Sequence, residues 1–202
     1  MENKGIHVID NFYDEGNYAE LLSRVNKLPF TFFWGDQHGS HYWNHQVDEE
    51  SPVKDICKKM WEDFTGNFNR VGNLAQAYIN GQTFGLEPGP HYDYGADDGV
   101  TVVNYVTDRW ELHWGGETFL YDQYAFNDRE LKEVELMLLD PLHIDKAVQP
   151  RRNRIVIFPA HQLHMVKPLN RFHQGIRFTF MYKMQGITVP EIMAGYKGAK
   201  NV

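Results

Sequence analysis

The chain has 202 residues, of which 42% are hydrophobic, 14% aromatic and 23% charged, and its net charge at pH 7 is -7. This length fits one domain with a sizeable core. The acidic balance, without a basic stripe, argues against nucleic acid and anionic membrane surfaces as partners. Cys57 is the only cysteine, which excludes an internal disulfide or a thiolate zinc cluster and fits a reducing compartment. Because neither a membrane span nor a secretory signal is visible, we expect a cytoplasmic protein.

The first seventy residues are dominated by two segments with helical periodicity. A short strand is expected over 5–12, followed by a helix over about 14–27 that ends at Pro29. The aromatic stretch 30–43 has no clean period, which predicts a loop or an irregular pair of strands. A second helix is predicted over 52–64, where apolar residues recur at spacings of three and four.

After Gly66 the apolar pattern changes to a period of two. Strands are predicted over the segments 74–79, 100–106, 117–121, 155–158 and 176–182. Helices followed by many short strands predict an α+β fold, in which the helices flank a β-sandwich or barrel. We expect a single domain over 1–202, with helical support over 1–70 and a strand-rich core over about 71–185. A short helix is expected at the start of the tail 188–202.

Two short patterns about seventy residues apart predict a metal site. His91 and Asp93 are two residues apart, so that both side chains point to the same side of an extended backbone. His164 follows an apolar strand that Pro159 closes. His161 is a competing ligand, but it falls in the turn, whereas His164 leads into a further strand. Two imidazoles and one carboxylate leave coordination positions open, an arrangement typical of non-haem Fe(II) oxygenases.

Arg177 lies within the last apolar strand and needs an anionic partner. Ile176 and Phe178 occupy the opposite face of this strand, and Thr179 and Met181 share the face of Arg177. A guanidinium in such a strand is costly unless it is paired. Its partner is either a structural salt bridge or the carboxylate of a ligand held by two parallel hydrogen bonds.

The histidines of the aromatic stretch are a weaker candidate for a metal site. His38, His41 and His45 have no regular spacing that brings them onto one ion, so we expect solvated loop histidines. The aromatic rings of this stretch could stack on a substrate or pack against the core, and packing is the favoured interpretation.

These segments together resemble the 2-oxoglutarate- and Fe(II)-dependent oxygenases of the prolyl 4-hydroxylase-like group. The resemblance covers about residues 74–182, in the family's order. The matching segments are Tyr78-Ile-Asn-Gly81-Gln82, His91-Tyr-Asp93, Val100-Thr-Val-Val-Asn-Tyr105, Gly115-Gly-Glu-Thr-Phe119, Phe158-Pro159 through His164-Met-Val166, and Gly175-Ile-Arg177. The fold that the resemblance implies is a double-stranded β-helix, or jelly roll, with the N-terminal helices flanking it.

The resemblance also implies roles for five residues. His91, Asp93 and His164 would bind Fe(II), Arg177 would bind the far carboxylate of 2-oxoglutarate, and Tyr78 would donate a hydrogen bond to the same cosubstrate. Dioxygen would be the other cosubstrate, with ascorbate a candidate stimulant. The implied enzyme is an oxidoreductase, a dioxygenase that hydroxylates an unactivated C–H bond. The related halogenases lack a carboxylate at the position of Asp93, which disfavours halogenation.

The substrate is less well specified by the sequence. A prolyl residue in a peptide or protein is the first candidate, and a free amino acid or other small metabolite is the second. The spacer 84–90 is longer than expected for close prolyl hydroxylases, and 107–114 looks inserted; both are expected near the rim of the cleft. A metal- or 2-oxoglutarate-binding jelly-roll sensor without turnover and a zinc hydrolase with the same ligands stay open, although Arg177 counts against both.

Overall fold

The computed structural model describes residues 5–34, 41–86, 88–93, 97–122 and 143–197. The helices are α1 (Glu15–Val25), α2 (Lys54–Gly66) and α3 (Val189–Ala194), with a 3-10 turn at Leu112–Trp114. The strands are β1 (His7–Ile9), β2 (Thr31–Trp34), β3 (His41–Gln46), β4 (Asn73–Gln82), β5 (Gly99–Val106), β6 (Thr118–Tyr121), β7 (Ile144–Val148), β8 (Ile155–Pro159), β9 (His164–Val166) and β10 (Arg177–Gln185).

The strands form two antiparallel sheets whose inner faces pack together. The major sheet has the order β1-β8-β5-β10-β4-β3-β2, and the minor sheet has the order β7-β6-β9. Leu120 and Val148 of the minor sheet share one buried cluster with Val103, Phe158 and Met181 of the major sheet. This is the predicted jelly roll with flanking helices.

The helices cover the outer face of the major sheet. Leu21 of α1 and Met60 of α2 belong to the same buried cluster as Phe180 of β10. The side chain of Asp14 caps α1 by accepting a 3.1 Å hydrogen bond from the backbone N–H of Asn17, which satisfies one of the free donors of the first turn. Cys57 lies in this core, and burial raises the pKa of its thiol to about 12, in keeping with a packing role.

Several predicted elements are confirmed, and two strand assignments differ from the expectation. Both N-terminal helices, the short strand expected over 5–12 and the five strands predicted after Gly66 are present. The aromatic stretch is a pair of regular strands, β2 and β3, and β3 pairs with β4; residues 35–40 lie outside the described part. β7 is not predicted by the period-two pattern, because its apolar residues do not alternate with its polar ones. The segment 1–70 therefore contains three strands, β1, β2 and β3, besides its two helices.

No helix among the described residues is both long enough and apolar enough to cross a membrane. The helix expected in the C-terminal tail is α3, while residues 198–202 lie outside the described part. The division into helical support and core at about residue 70 and the cytoplasmic location stay predictions.

Candidate active site

Backbone pairing brings the two predicted histidines side by side. His91 and His164 form an isolated antiparallel bridge next to β9, with N–H···O hydrogen bonds of 2.9 and 3.1 Å in the two directions. Residues directly opposite each other in an antiparallel pair project their side chains to the same face. The two imidazole rings are accordingly only 4.3 Å apart between centroids. The backbone N–H of Asp93 is held in turn by the carbonyl oxygen of Ala160 at 3.0 Å.

His91, Asp93 and His164 converge on one point. One ligating atom from each lies within 4.8 Å of the others, and no other group of three or more His, Cys, Asp or Glu side chains does so in the described part of the chain. Nε2 of His91 is 3.7 Å from Oδ1 of Asp93, and Nε2 of His164 is 3.6 Å from Oδ2. His161, the competing candidate, is not part of this cluster; its Nδ1 lies 3.9 Å from Asp97.

The tautomers of the two histidines suit a metal. Nδ1 of His91 is 2.8 Å from the carbonyl oxygen of Gly89, and Nδ1 of His164 is 2.8 Å from that of Gln162. Because a carbonyl oxygen can only accept, each Nδ1 donates, which leaves the lone pair of Nε2 directed into the cluster. Burial, together with the neighbouring His91, lowers the pKa of His164 to about 4, so that its ring is neutral at pH 7.

Asp93 is fixed by two neighbours that the sequence analysis did not identify. The hydroxyl of Thr101 donates to its Oδ2 at 2.6 Å, and Nζ of Lys183 lies 2.7 Å from its Oδ1. Burial alone would raise the pKa of this carboxyl, but its electrostatic contacts with the His164 imidazole, the Lys183 ammonium group and the His91 imidazole outweigh burial and hold the pKa well below its usual range. The carboxylate is therefore ionised and oriented before any ligand arrives.

Arg177 is a buried cation without a carboxylate partner among the described residues. Its side chain donates to Oε1 of Gln82 at 2.9 Å and lies over the ring of Tyr105 at 5.1 Å, while its Nε has no hydrogen-bond partner. The residue is 2% exposed. Burial lowers the pKa of Arg177, an effect that Tyr105 and the charge of Glu117 oppose, and Glu117 itself has an ion pair with Lys167 at 3.6 Å. Because an unpaired buried charge is costly, this corner is built to receive an anion.

The double glycine of the sequence makes room for this arginine. Gly116 has φ +76°, a conformation that side chains rarely adopt, and a Cβ there would stand 3.0 Å from Cδ of Arg177. A Cβ on Gly115 would stand 2.5 Å from the carbonyl oxygen of Pro168. Any other residue at either position would displace the backbone that encloses Arg177.

A cleft of about 270 Å³ joins the three-residue cluster to Arg177. Its floor consists of alternate residues of β10 and the strands on either side, which the register places in rows across the sheet. Its lining comprises Tyr42, Tyr78, Asn80, Gln82, Pro88, His91, Tyr92, Asp93, Val103, Thr118, His164, Val166, Arg177, Thr179, Met181 and Lys183. All five site residues predicted from the sequence therefore lie in one cleft.

Tyr78 lines the cleft on the strand next to β10. Burial, together with the nearby Asp93, raises the pKa of its hydroxyl well above the usual value. The hydroxyl is therefore protonated at neutral pH and able to donate a hydrogen bond.

Two segments that the sequence suggests as substrate contacts, the aromatic stretch and the spacer 84–90, each reach the cleft. The aromatic stretch contributes Tyr42, and the spacer 84–90 contributes Pro88. Phe32 and Trp43 of the same stretch pack edge to face at 4.8 Å, as expected for a packing role. The expectation of solvated histidines is wrong for His45, which is buried and contacts the carbonyl oxygen of Pro29 at 2.9 Å. His38 lies outside the described residues.

The sequence carries a signal for Lys183 but none for Thr101. Lys183 follows Arg177 by six residues in a strand, and an even spacing places both on the same face. Thr101 is the cross-strand partner of Lys183 in the register of β5 and β10. Period-two alternation could have placed Lys183 in the cleft, but only the strand pairing reveals that both residues meet Asp93.

Comparison with known proteins agrees with this geometry. The family profile described as the 2OG-Fe(II) oxygenase superfamily matches residues 75–182, more than half of the chain. A search of curated proteins found no match.

Solved structures share the fold at low sequence identity. A prolyl hydroxylase from Trichoplax adhaerens, in complex with a hypoxia inducible factor peptide fragment, has a TM-score of 0.61 and 16% identity over 91% of this chain and 84% of its own. A prolyl-4-hydroxylase from Pseudomonas putida has a TM-score of 0.57 and 14% identity over 91% and 93%. HygX from Streptomyces hygroscopicus, with nickel, 2-oxoglutarate and hygromycin B bound, has a TM-score of 0.61 and 13% identity over 91% and 84%.

The profile match covers both segments that supply the three-residue cluster, together with Tyr78 and Arg177. The chain therefore belongs to the 2OG-Fe(II) oxygenase superfamily, which makes it an enzyme that depends on Fe(II) and 2-oxoglutarate.

Proposed function

We propose that this enzyme hydroxylates an unactivated C–H bond, with Fe(II) held by His91, Asp93 and His164 and with 2-oxoglutarate anchored by Arg177. The observation that carries the proposal is that one cleft joins a two-histidine, one-carboxylate cluster to a buried, unpaired guanidinium. A zinc hydrolase or a simple metal-binding jelly roll has no need for the second feature.

The donor set supports iron at this position. Two imidazoles and an ionised carboxylate on one side of an ion leave other coordination positions for ligands, as in the oxygenases with two histidines and one carboxylate. Each Nδ1–H is held by a backbone carbonyl, the kind of outer contact that orients metal-bound histidines. The Asp93 carboxylate needs no deprotonation at neutral pH, because its pKa lies well below the usual range.

The second end of the cleft supports a dicarboxylate. The free Nε of Arg177 and its two terminal nitrogens offer the planar donor geometry that carboxylates accept. Gln82 and the Tyr105 ring hold the guanidinium in place, so little side-chain entropy is lost on binding. We assign the Tyr78 hydroxyl, which stays protonated, as an additional donor to the same cosubstrate.

In this arrangement the protein's own groups bind, orient and shield. When bound, the iron would supply the oxidation chemistry by which dioxygen, 2-oxoglutarate and the substrate C–H group give succinate, carbon dioxide and the hydroxylated product. Thr101 and the two backbone carbonyls keep the ligating atoms in place. Arg177 fixes the far end of the cosubstrate, and the apolar surface of Val103 and Met181 excludes water from the floor of the cleft.

Two substrate classes follow from the sequence. The Trichoplax adhaerens neighbour binds a peptide fragment and the Streptomyces hygroscopicus neighbour binds hygromycin B, so this fold accepts both peptides and small molecules. A prolyl residue in a peptide is the candidate suggested by the resemblance. A free amino acid or other small metabolite is favoured by one feature of this cleft, the ammonium group of Lys183 beside Asp93.

The proposal is tested by succinate release from 2-oxoglutarate with Fe(II), ascorbate and dioxygen. Proline-containing peptides and free amino acids are supplied in parallel, and mass spectrometry follows the gain of one oxygen atom. We expect stimulated turnover with a hydroxylated product, and its loss in His164→Ala. If the protein binds metal and 2-oxoglutarate but releases no succinate with any compound, the enzyme proposal fails and a sensor role takes its place.

We expect Thr101→Val to weaken metal binding about tenfold without changing the fold, because valine keeps the shape of threonine but cannot orient the Asp93 carboxylate. Isothermal titration with Ni(II) measures this affinity, and Thr101→Ser should restore most of it. Thr179→Val, on the neighbouring strand, is the matched control and should leave the Ni(II) affinity within twofold. Equal affinities for Thr101→Val and the wild type would show that the Asp93 carboxylate needs no such support.

A further inference from the structure

Lys183 is a second cation in the cleft, at the opposite end of the floor from Arg177. The two residues are six positions apart on β10, which separates their backbones by about 20 Å. Lys183 is opposite Thr101 in the strand register, its Nζ lies 2.7 Å from Oδ1 of Asp93, and it lies 5.3 Å from the centre of the Tyr78 ring. Its side chain is 22% exposed, so it can reach the contents of the cleft. Lys183 therefore has no part in the anchoring of 2-oxoglutarate that we assign to Arg177.

The charges of the loaded cleft do not balance without a further anion. Among the described residues of the lining, the charged groups apart from the imidazoles are Asp93, Arg177 and Lys183. Iron adds two positive charges and 2-oxoglutarate adds two negative charges. Asp93 and one carboxylate of the cosubstrate then offset the metal, and the other carboxylate offsets Arg177. One positive charge, that of Lys183, is left over in a half-enclosed cleft, where an uncompensated charge is unfavourable.

Metal binding also weakens the contact that Lys183 makes with Asp93. The same carboxylate would lie between the ammonium group and the metal, so part of its charge would be withdrawn by the metal and the two cations would repel each other. The hydroxyl of Thr101, a fully buried residue, already donates a hydrogen bond to the other oxygen of Asp93, Oδ2. Thr101 can therefore keep Asp93 oriented when the ammonium group of Lys183 turns to a ligand.

We propose that Lys183 binds an anionic group of the substrate, so that the enzyme acts on a small carboxylic acid such as a free amino or organic acid. This inference rests on the proposed function. The cleft of about 270 Å³ lies near the lower limit of small-molecule pockets, and 2-oxoglutarate takes up part of it, which favours a small substrate. Lys183 contacts Asp93, a proposed metal ligand. If Lys183 holds the substrate carboxylate, the substrate carbons next to the metal are therefore those within a few bonds of that carboxylate.

The test compares matched carboxylates and carboxamides. Free L-amino acids, small organic acids, their carboxamides and neutral proline-containing peptides are first screened by stimulated succinate release. The carboxylate with the greatest stimulation and its carboxamide are then titrated calorimetrically into the protein loaded with Ni(II) and 2-oxoglutarate, which binds without turnover. Wild type, Lys183→Met and Lys183→Arg are compared, with Lys197→Met, an exposed cation outside the cleft, as the control.

We expect Lys183→Met to raise the Kd of the carboxylate roughly 30-fold or more and to leave that of the carboxamide unchanged. Lys183→Arg should retain most of the affinity, and Lys197→Met should resemble the wild type. The inference is overturned if neutral peptides stimulate turnover and carboxylates do not, if no carboxylate stimulates it, or if Lys183→Met weakens Ni(II) binding but not carboxylate binding. Absence of 2-oxoglutarate binding to the Ni(II) protein would instead refute the proposed function.

Discussion

Replacing His164 with alanine is expected to abolish succinate release and to weaken Ni(II) binding by at least about 100-fold. Outer contacts to metal ligands are typically worth 10- to 100-fold in affinity, so the loss of a ligand should reach or exceed the upper end of that range. The backbone bridge between His91 and His164 does not depend on the imidazole, so the strand pairing that supports the site should persist. Isothermal titration with Ni(II) and a coupled assay for succinate measure the two effects.

His161→Ala is the matched control for this change. His161 is three residues earlier in the same turn and lies outside the three-residue cluster. Its replacement should leave metal affinity and turnover within twofold of the wild type. If instead His161→Ala abolished metal binding and His164→Ala did not, the assignment of ligands would be wrong. Circular dichroism on both variants separates a lost ligand from a lost fold.

Replacing Arg177 with glutamine should raise the Kd for 2-oxoglutarate by roughly 30-fold or more, because removing one member of a buried charge pair costs about 2–5 kcal/mol. The Kd of Arg177→Lys for 2-oxoglutarate should lie between those of the wild type and Arg177→Gln, since lysine keeps the charge but not the planar pair of donors. The binding of Ni(II) alone should be little affected. Calorimetric titration of 2-oxoglutarate into the Ni(II)-loaded protein gives these values.

Stability provides a second measure of the role of Arg177. Without 2-oxoglutarate the guanidinium is a buried charge with no described carboxylate partner, so Arg177→Gln should leave the Tm unchanged or raise it. With saturating 2-oxoglutarate the wild type gains binding free energy that the variant lacks, and the order of the Tm values should reverse. Arg171→Gln, an exposed arginine on the preceding turn, should show neither effect. A lower Tm for Arg177→Gln in both conditions would indicate a structural salt bridge instead.

The proposed substrate contact lies at the end of the cleft away from Arg177. The cleft surface there combines Lys183 with the Tyr78 ring. A peptidyl proline would present no charge to this surface, whereas a small acid would offset that of Lys183. The resemblance to prolyl hydroxylases and the charge of this cleft therefore favour different substrates, and the carboxylate–carboxamide comparison distinguishes them.

The sequence alone determined the chemistry of the site. A metal cluster requires particular donor atoms, and His91, Asp93 and His164 carry them in short segments with local strand signals. Arg177 was identifiable because a charge inside an apolar strand is conspicuous whatever the fold. Period-two alternation also separated the cleft-facing side of β10 from its core-facing side, where Phe178 and Phe180 are buried.

Only the tertiary structure decided which neighbours complete the site. Thr101 contacts Asp93 because β5 and β10 pair in one register, and register depends on contacts between segments far apart in the chain. The apolar residues of β7 do not alternate with its polar ones, so no local pattern identifies this strand, and it is held by its pairing with β6. Lys183 is an unremarkable strand residue until the fold places it against Asp93, because an interaction between charges depends on their distance, which local patterns do not specify.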